Sequence, residues 1–294
     1  MEWKRMSSGE KIFTVFNYLF LTFLMLVTIY PFIYVAMASV SDPALFMEHS
    51  GLLAHPLGFS TDAYKMVFNN PMVLVSYKNT AVYVVLGTTL SMILTTFGAY
   101  GLSRKNLYLK NIIMMYVTFT MFFSGGLIPT YLLVRSLGLT NTMGALIIPN
   151  AIKIWNLIVM RTYFVNIPDS LEESAKLDGA NDIKILFSIM LPISMPIIAV
   201  MILFYAVDQW NAWFDAMIYL KNRDLYPLQL VLREILISSE TQNMSTDAAG
   251  VDKALIGEII KYATTIVATL PILFVYPFLQ KYFVKGVMVG AIKG

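Results

Sequence analysis

The sequence predicts an all-α integral membrane protein with six transmembrane helices and both termini cytoplasmic, and three observations carry that prediction. Of its 294 residues, 57% are hydrophobic and only 13% charged, and mean hydropathy is +0.67. That is more apolar surface than a soluble domain of this size can hide. Uncharged runs recur along the chain, and a helix crossing ~30 Å of hydrocarbon needs about 20 mostly apolar residues. Lysine and arginine collect in alternate connecting segments, as they do in short cytoplasmic loops.

The first span, 12–37, fills the uncharged run between Lys11 and Asp42, and Pro31 is expected to kink it without abolishing it. A short basic start and the lack of a small-residue cleavage site read as a retained helix that doubles as the insertion signal. The second span, 79–102, lies between Lys78 and Arg104, and the third, 111–134, between Lys110 and Arg135. Gly125, Gly126 and Pro129 are expected to break the third helix toward its outer end, where backbone faces protein or a cavity. Only Lys153 interrupts the fourth, 143–163, while the fifth, 193–219, carries Asp208 and Asp215 and the sixth covers 262–280. The chain thus reads as one membrane domain over 1–294, with outer loops at 38–78 and 220–261 and an inner connector at 166–192.

Orientation follows from the basic residues. Lys4, Arg5 and Lys11; Arg104, Lys105 and Lys110; Arg161, Lys176 and Lys184; and Lys281, Lys285 and Lys293 fall on the predicted inner side, which holds more of the 21 lysines and arginines than the longer outer segments do. A net charge of +3 is accounted for by this topology and calls for no nucleic acid. The absence of cysteine excludes disulfides and thiolate metal sites. No G-x-x-x-x-G-K-[ST] loop is present, so the chain cannot itself hydrolyse ATP. His49 and His55 share the first outer loop without further ligands, and no nucleophile triad or carboxylate pair sits in a plausible pocket, so neither metal nor catalysis is expected.

Charges inside spans are costly and usually face an interior or a water-filled path. Lys153 and Asp208 lie at matching depth, ~15 Å and ~16 Å from the outer surface at 1.5 Å per residue. They can pair with each other, line a substrate path or meet a partner subunit. Asp208, Asn211, Ala212 and Asp215 recur at i, i+3, i+4 and i+7, a polar stripe on the fifth span suited to hydroxyl-rich cargo. Trp210 and Trp213 read as interfacial anchors, with sugar stacking the alternative, and Trp155, beside Asn156, is the better stacking candidate.

The connector between the fourth and fifth spans reads as a short helix with punctuation. Ser170 and Glu173 form a capping-box pattern, Gly179 stands where a left-handed C-terminal cap is wanted, and small Ser174 and Ala175 allow another surface to approach the backbone. By itself this is an amphipathic connector whose Glu173 caps its own helix. Glu173-Ser174-Ala175, then Gly179 after three residues, then Ile189-Met190-Leu191-Pro192 after nine, resembles the EAA loop of ABC-importer permeases (E-A-A, x3, G, x9, I-x-L-P), with Ser174 the single departure, small for small. Gly98 to Arg104, Phe123 to Tyr131, Leu137 to Thr142 and Trp210 to Asp215 are similar to permeases of the carbohydrate-importing, maltose-type branch. Ser124-Gly125-Gly126 is similar to the subgroup that handles oligosaccharides from complex polysaccharides.

That resemblance implies the type I ABC importer permease fold in a bacterial cytoplasmic membrane, and a non-enzymatic subunit. It implies as partners a second homologous permease, two ATPase subunits that use ATP and magnesium, an extracytoplasmic solute-binding protein and an oligosaccharide cargo. Leu171, Glu172, Glu173, Ser174, Ala175, Leu177, Asp178, Gly179 and Ala180 become the coupling helix docked in an ATPase groove. Glu173 would face a basic residue there, Ala175 would make the close contact and Gly179 the turn. Lys153, Trp155, Asn156, Asp208, Asn211 and Asp215 become candidates for the substrate path. A permease for a non-sugar solute is the alternative. A secondary carrier is disfavoured, because no inverted repeat and no paired ion-coupling carboxylates are visible, and an assembly factor leaves the polar stripe without a purpose.

Overall fold

In the computed structural model, which describes residues 7–243, 257–274 and 277, the chain divides into two units. One comprises Met1–Asn70 with Glu234–Thr269, the other Pro71–Arg233 with Leu270–Gly294.

The first unit is organised by α1, Ser8–Ser39, a 32-residue helix that runs through Pro31. Its start is fixed by a capping box, with Glu10 N donating to Ser7 Oγ at 3.3 Å and Ser7 N to Glu10 Oε2 at 2.7 Å. Only Ala38 and Ser39 of this helix are buried, so nearly its whole apolar surface is left for lipid or other chains. Asp42 caps α2 (Pro43–Glu48) by accepting from Ala44 N and Leu45 N. The next helix, α3 (Asp62–Asn69), carries a Lys65–Asp62 ion pair of 2.8 Å, and that bond, helped by Ser60, holds the Asp62 carboxyl below its ordinary value. Tyr34, Phe46 and Tyr262 meet edge to face at 5.4 to 6.3 Å, tying α1 and α2 to the helix Gly257–Phe274.

The second unit is built on α4, Pro71–Ser103, whose 33 residues span ~50 Å. It starts well before the predicted 79 and absorbs Lys78, because Pro71 suits a first helical turn and nothing after it breaks the run. Its buried positions include Ser76, Thr80, Gly87, Ser91, Thr95 and Ala99, small residues at helical spacing that let neighbouring backbones approach closely. A Cβ on Gly87 would lie 2.7 Å from Gln209 Nε2, and one on Gly98 would lie 3.1 Å from Leu157 Cδ1.

The predicted third span is two helices, α5 (Lys110–Phe122) and α6 (Leu127–Ser136), bent by 114°. Gly126, at φ 83°, supplies the left-handed backbone that the break needs. The predicted fourth span, 143–163, is not continuous. Only α7 (Gly144–Ile147) and α8 (Ile154–Val165) are helical, and Pro149 lies in the turn between them, where its ring and missing N–H disfavour an unbroken helix. With 12 residues, α8 spans ~18 Å.

After α9 (Asp169–Leu177), the helix Asp182–Ile193, here α10, contains a π turn at Leu186–Met190 and meets α11 (Met195–Asn211) at an 86° bend. Pro192 and Pro196 flank that bend at Ser194 and withhold the N–H groups that would continue the ladder. The predicted fifth span breaks a second time at Ala212 and Trp213 before α12 (Phe214–Tyr219). A helix α13, Leu228–Asn243, occupies much of the predicted outer loop 220–261. Three described helices are long and apolar enough to cross a membrane, and five spans result if each bent pair counts as one. The end of the predicted sixth span, 262–280, falls largely outside the described residues.

Candidate functional site

The connecting helix α9 is fixed at its C-terminal end by backbone geometry. Gly179 adopts φ 79°, its N–H bonds Lys176 O at 3.0 Å, and Ala180 N bonds Ala175 O at 2.9 Å. This pair of bonds is a Schellman cap, and it requires a residue that tolerates the left-handed region. The N-terminal expectation is corrected. Pro168 is the N-cap and no side chain caps the helix, because the helix begins at Asp169 and carries Ser170 inside its first turn, so Ser170 and Glu173 form no capping box.

Two further expectations for α9 are redistributed by its facing. Ala175 is buried against the chain's own core with Phe164, Ile185 and Leu186, and so cannot be the surface that receives a partner. Glu172 turns inward too. One carboxylate oxygen takes Arg104 Nη1 and the other takes Lys176 Nζ at 2.6 Å. Leu171, Glu173, Ser174, Asp178 and Leu177 face outward, and Leu177 is 90% exposed. Beside them Lys105 pairs with Asp169, which holds the lysine ammonium above its ordinary value.

The other candidate residues gather where α8 and α11 meet. Lys153 Nζ lies 2.6 Å from Asp208 Oδ2, in a pair whose side chains are both nearly half exposed. Lys153 is not inside a helix. It is the extended N-cap of α8, and its backbone N–H donates to Tyr205 Oη at 3.2 Å, while that hydroxyl also bonds Thr95 Oγ1 at 2.6 Å. A cavity of about 450 Å³ is lined by Lys153, Asn156, Tyr205, Asp208 and Asn211 among others. A second of about 240 Å³ shares Lys153, Asp208 and Asn211 and adds Asn150, Trp213 and Asp215.

The stripe of Asp208, Asn211, Ala212 and Asp215 is not one helical face, since α11 ends at Asn211 and Asp215 belongs to α12. Asp215 still returns to the same cleft, held by Asn150 Nδ2 at 2.6 Å. Trp155 is exposed and lies outside both lining sets. Trp213 carries the Arg233 guanidinium 3.6 Å above its ring, and Trp210 packs at 6.2 Å from Tyr77. These contacts give both indoles protein partners beyond the interfacial anchoring read from sequence.

Sequence reading missed Tyr205, Asn150 and Gln209. The first two sit in the cleft by long-range packing and carry no local pattern, whereas Gly87, one of the small residues at helical spacing on α4, is a visible sign of the close approach that Gln209 makes. On the rim, Asn141 at φ 60° accepts from Lys221 N and Asn222 N, and Asn79 donates to Asp224 O and Tyr226 O. Together these bonds pin the first part of the predicted outer loop.

This architecture has close counterparts. A polygalacturonan/rhamnogalacturonan transport system permease protein of Bacillus subtilis is 43% identical over 285 residues, covering 97% of this chain and 99% of the relative. Protein LplC of the same organism is 42% identical over 289 residues, covering 98% and 97%. A chain in the crystal structure of a bacterial ABC transporter involved in the import of the acidic polysaccharide alginate superposes with a TM-score of 0.84 at 32% identity, over 95% of this chain and 99% of that one. The profile of the binding-protein-dependent transport system inner membrane component matches residues 4–289, and with its bent helices, its capped connector and its apolar α1 the chain belongs to that family of multi-pass membrane permeases.

Proposed function

We propose that this permease imports oligosaccharides cut from acidic polysaccharides. It does so together with a second homologous permease, two ATPase subunits that bind and hydrolyse ATP with magnesium, and an extracytoplasmic solute-binding protein that delivers the cargo. In this reading the chain binds no cofactor, its termini and α9 face the cytoplasm, and the segments 38–78 and 220–261 face the binding protein. The cargo class is supported by the relatives, whose names include polygalacturonan and whose solved counterpart is involved in the import of alginate.

The observation that carries the reading is the construction of α9. A two-turn helix presents Leu171, Glu173, Ser174 and Leu177 outward, although exposed leucines have no internal purpose, and its other face is clamped by Ala175 and Glu172. A helix held so firmly can act as a rigid knob. When ATP closes the ATPase dimer, its grooves move together and carry α9 with them, and the packing of Ala175 with Phe164, Ile185 and Leu186 passes the displacement to α8 and α10. Displacing α8 and α11 changes the walls of the Lys153–Asp208 cleft. That cleft offers amide, carboxylate and ammonium groups to sugar hydroxyls while its one lysine is neutralised by Asp208.

Purification of the tagged permease from its native membrane tests the assignment. The expected result is co-purification of an ATPase, with hydrolysis stimulated by a loaded binding protein and uptake of oligogalacturonides that unlabelled maltodextrins do not compete away. Recovery without any ATPase, or uptake driven by an ion gradient alone, contradicts it.

A further inference from the structure

We infer that Arg104 and Glu172 form a tie that carries the displacement of α9 into α4, making them positioning residues that set how much transport each ATP drives. The inference rests on the permease reading above. The coupling helix is continuous in sequence with α8 and α10 and packs on both through Ala175. The Arg104–Glu172 contact instead joins it, across 68 residues of sequence, to the residue directly after α4, whose N–H bonds Gly101 O at 3.2 Å, with side chains only 19% and 16% exposed.

Each oxygen of Glu172 has its own cation, Arg104 on one and Lys176 on the other, and Lys176 also lies 3.7 Å from Asp182 at the start of α10. Arg104 cannot swing freely. Its Nε and Nη2 donate to Ser103 Oγ at 3.0 and 2.8 Å, and its guanidinium sits 4.5 Å from the centre of the Tyr100 ring. A planar guanidinium held on a ring, with two of its nitrogens on Ser103 and the third on a carboxylate, is an orientation-locked contact that lysine does not reproduce. Neighbouring Lys105–Asp169 joins the same two elements, but both partners are more than half exposed and water screens the pair, so it transmits little.

The end of α4 is well placed to use the motion. Thr95 lies nine residues before Arg104, ~13 Å along the helix. Its hydroxyl bonds Tyr205 Oη, which in turn receives the backbone N–H of Lys153 at the cleft. A shift of α9 therefore reaches the cleft along a chain of buried and half-buried contacts through α4, in parallel with the α8 and α10 junctions.

The test uses the full complex in vesicles, with the binding protein and cargo inside and ATP outside or the reverse, and reads cargo moved per ATP hydrolysed. Arg104→Gln and Glu172→Gln are each expected to lower that ratio about tenfold, within the range of site-to-site couplings, while the complex assembles and hydrolyses ATP. The double Arg104→Gln/Glu172→Gln variant is expected to be no worse than either single, and Lys105→Gln is expected to stay near wild type. Arg104→Lys, which keeps the charge and folds most safely, is expected to fall between. Single variants with a wild-type ratio, or a double variant with the two losses multiplied, overturn the tie. A wild-type chain that engages no ATPase instead overturns the permease reading.

Discussion

Around α9, the Arg104–Glu172 pair joins residues 68 apart in sequence, with both side chains less than a fifth exposed. Around Lys153 and Asp208, a pair of the same chemistry stands nearly half exposed between helix ends. The difference lies in the backbone beneath. The α9 region is continuous helix closed by a Schellman cap, with Ala175, Phe164 and Leu186 packed below it. The cleft is made where α7 and α11 end and α8 and α12 begin, so its polar groups come from breaks that leave room for a guest. Well-packed contacts suit transmission of force, and irregular backbone lining a cavity suits a path.

The comparison breaks first at Gly179. Valine there meets no side chain, so its cost is the left-handed backbone alone, roughly 1–2 kcal/mol. Because that strain falls on the helix proposed to dock the ATPase, Gly179→Val should cost most of the co-purified ATPase while the purified permease keeps its far-ultraviolet helicity. Glu173→Lys, which changes an exposed charge and no internal contact, should do the same without altering thermal stability.

At the cleft side the packing of α4 on α11 can be probed through Gly87. Gly87→Ala places a methyl against the buried Gln209 amide and should destabilise by about 1–3 kcal/mol, seen as a lower thermal midpoint in detergent. Combining it with Gln209→Ala should recover most of that loss, and no recovery would show that the clash lies elsewhere.

A smaller effect is expected from the exposed pair. Asp208→Asn alone should reduce transport and stability more than Lys153→Met/Asp208→Asn together, with a coupling of about 1 kcal/mol. Losses that add in the double variant would instead assign the two residues separate contacts with cargo. Smallest of all, Asn141→Asp should keep the two rim hydrogen bonds and near-normal stability, whereas Asn141→Ala should lose about 1 kcal/mol in a denaturation series.

What could be read from the sequence follows the range of the interaction that decides it. Hydrophobic runs located α1, most of α4 and the described part of the sixth span, because membrane thickness acts on consecutive residues. Gly179 and Gly126 announced their own turns, since a positive φ is a property of one residue. The break after Ile147 and the end of α11 at Asn211 were misread as continuous spans, because the apolar pattern runs on through them, and so the polar stripe ending at Asp215 was drawn on one helix. Matching depth was enough to suggest Lys153 with Asp208. Nothing local distinguishes Glu172 from Glu173, however. Their opposite facing is set by Arg104, which only the fold brings near.

The central claim is that the outward face of α9 is a docking knob, and the absence of cysteine makes it directly testable. A Leu177→Cys variant carries the one thiol of the chain, at a position 90% exposed here. Maleimide labelling of that thiol should be fast in the isolated permease, protected about tenfold or more when the ATPase subunits are bound, and changed again by ATP. Equal labelling rates alone, with the ATPase and with ATP would contradict the account.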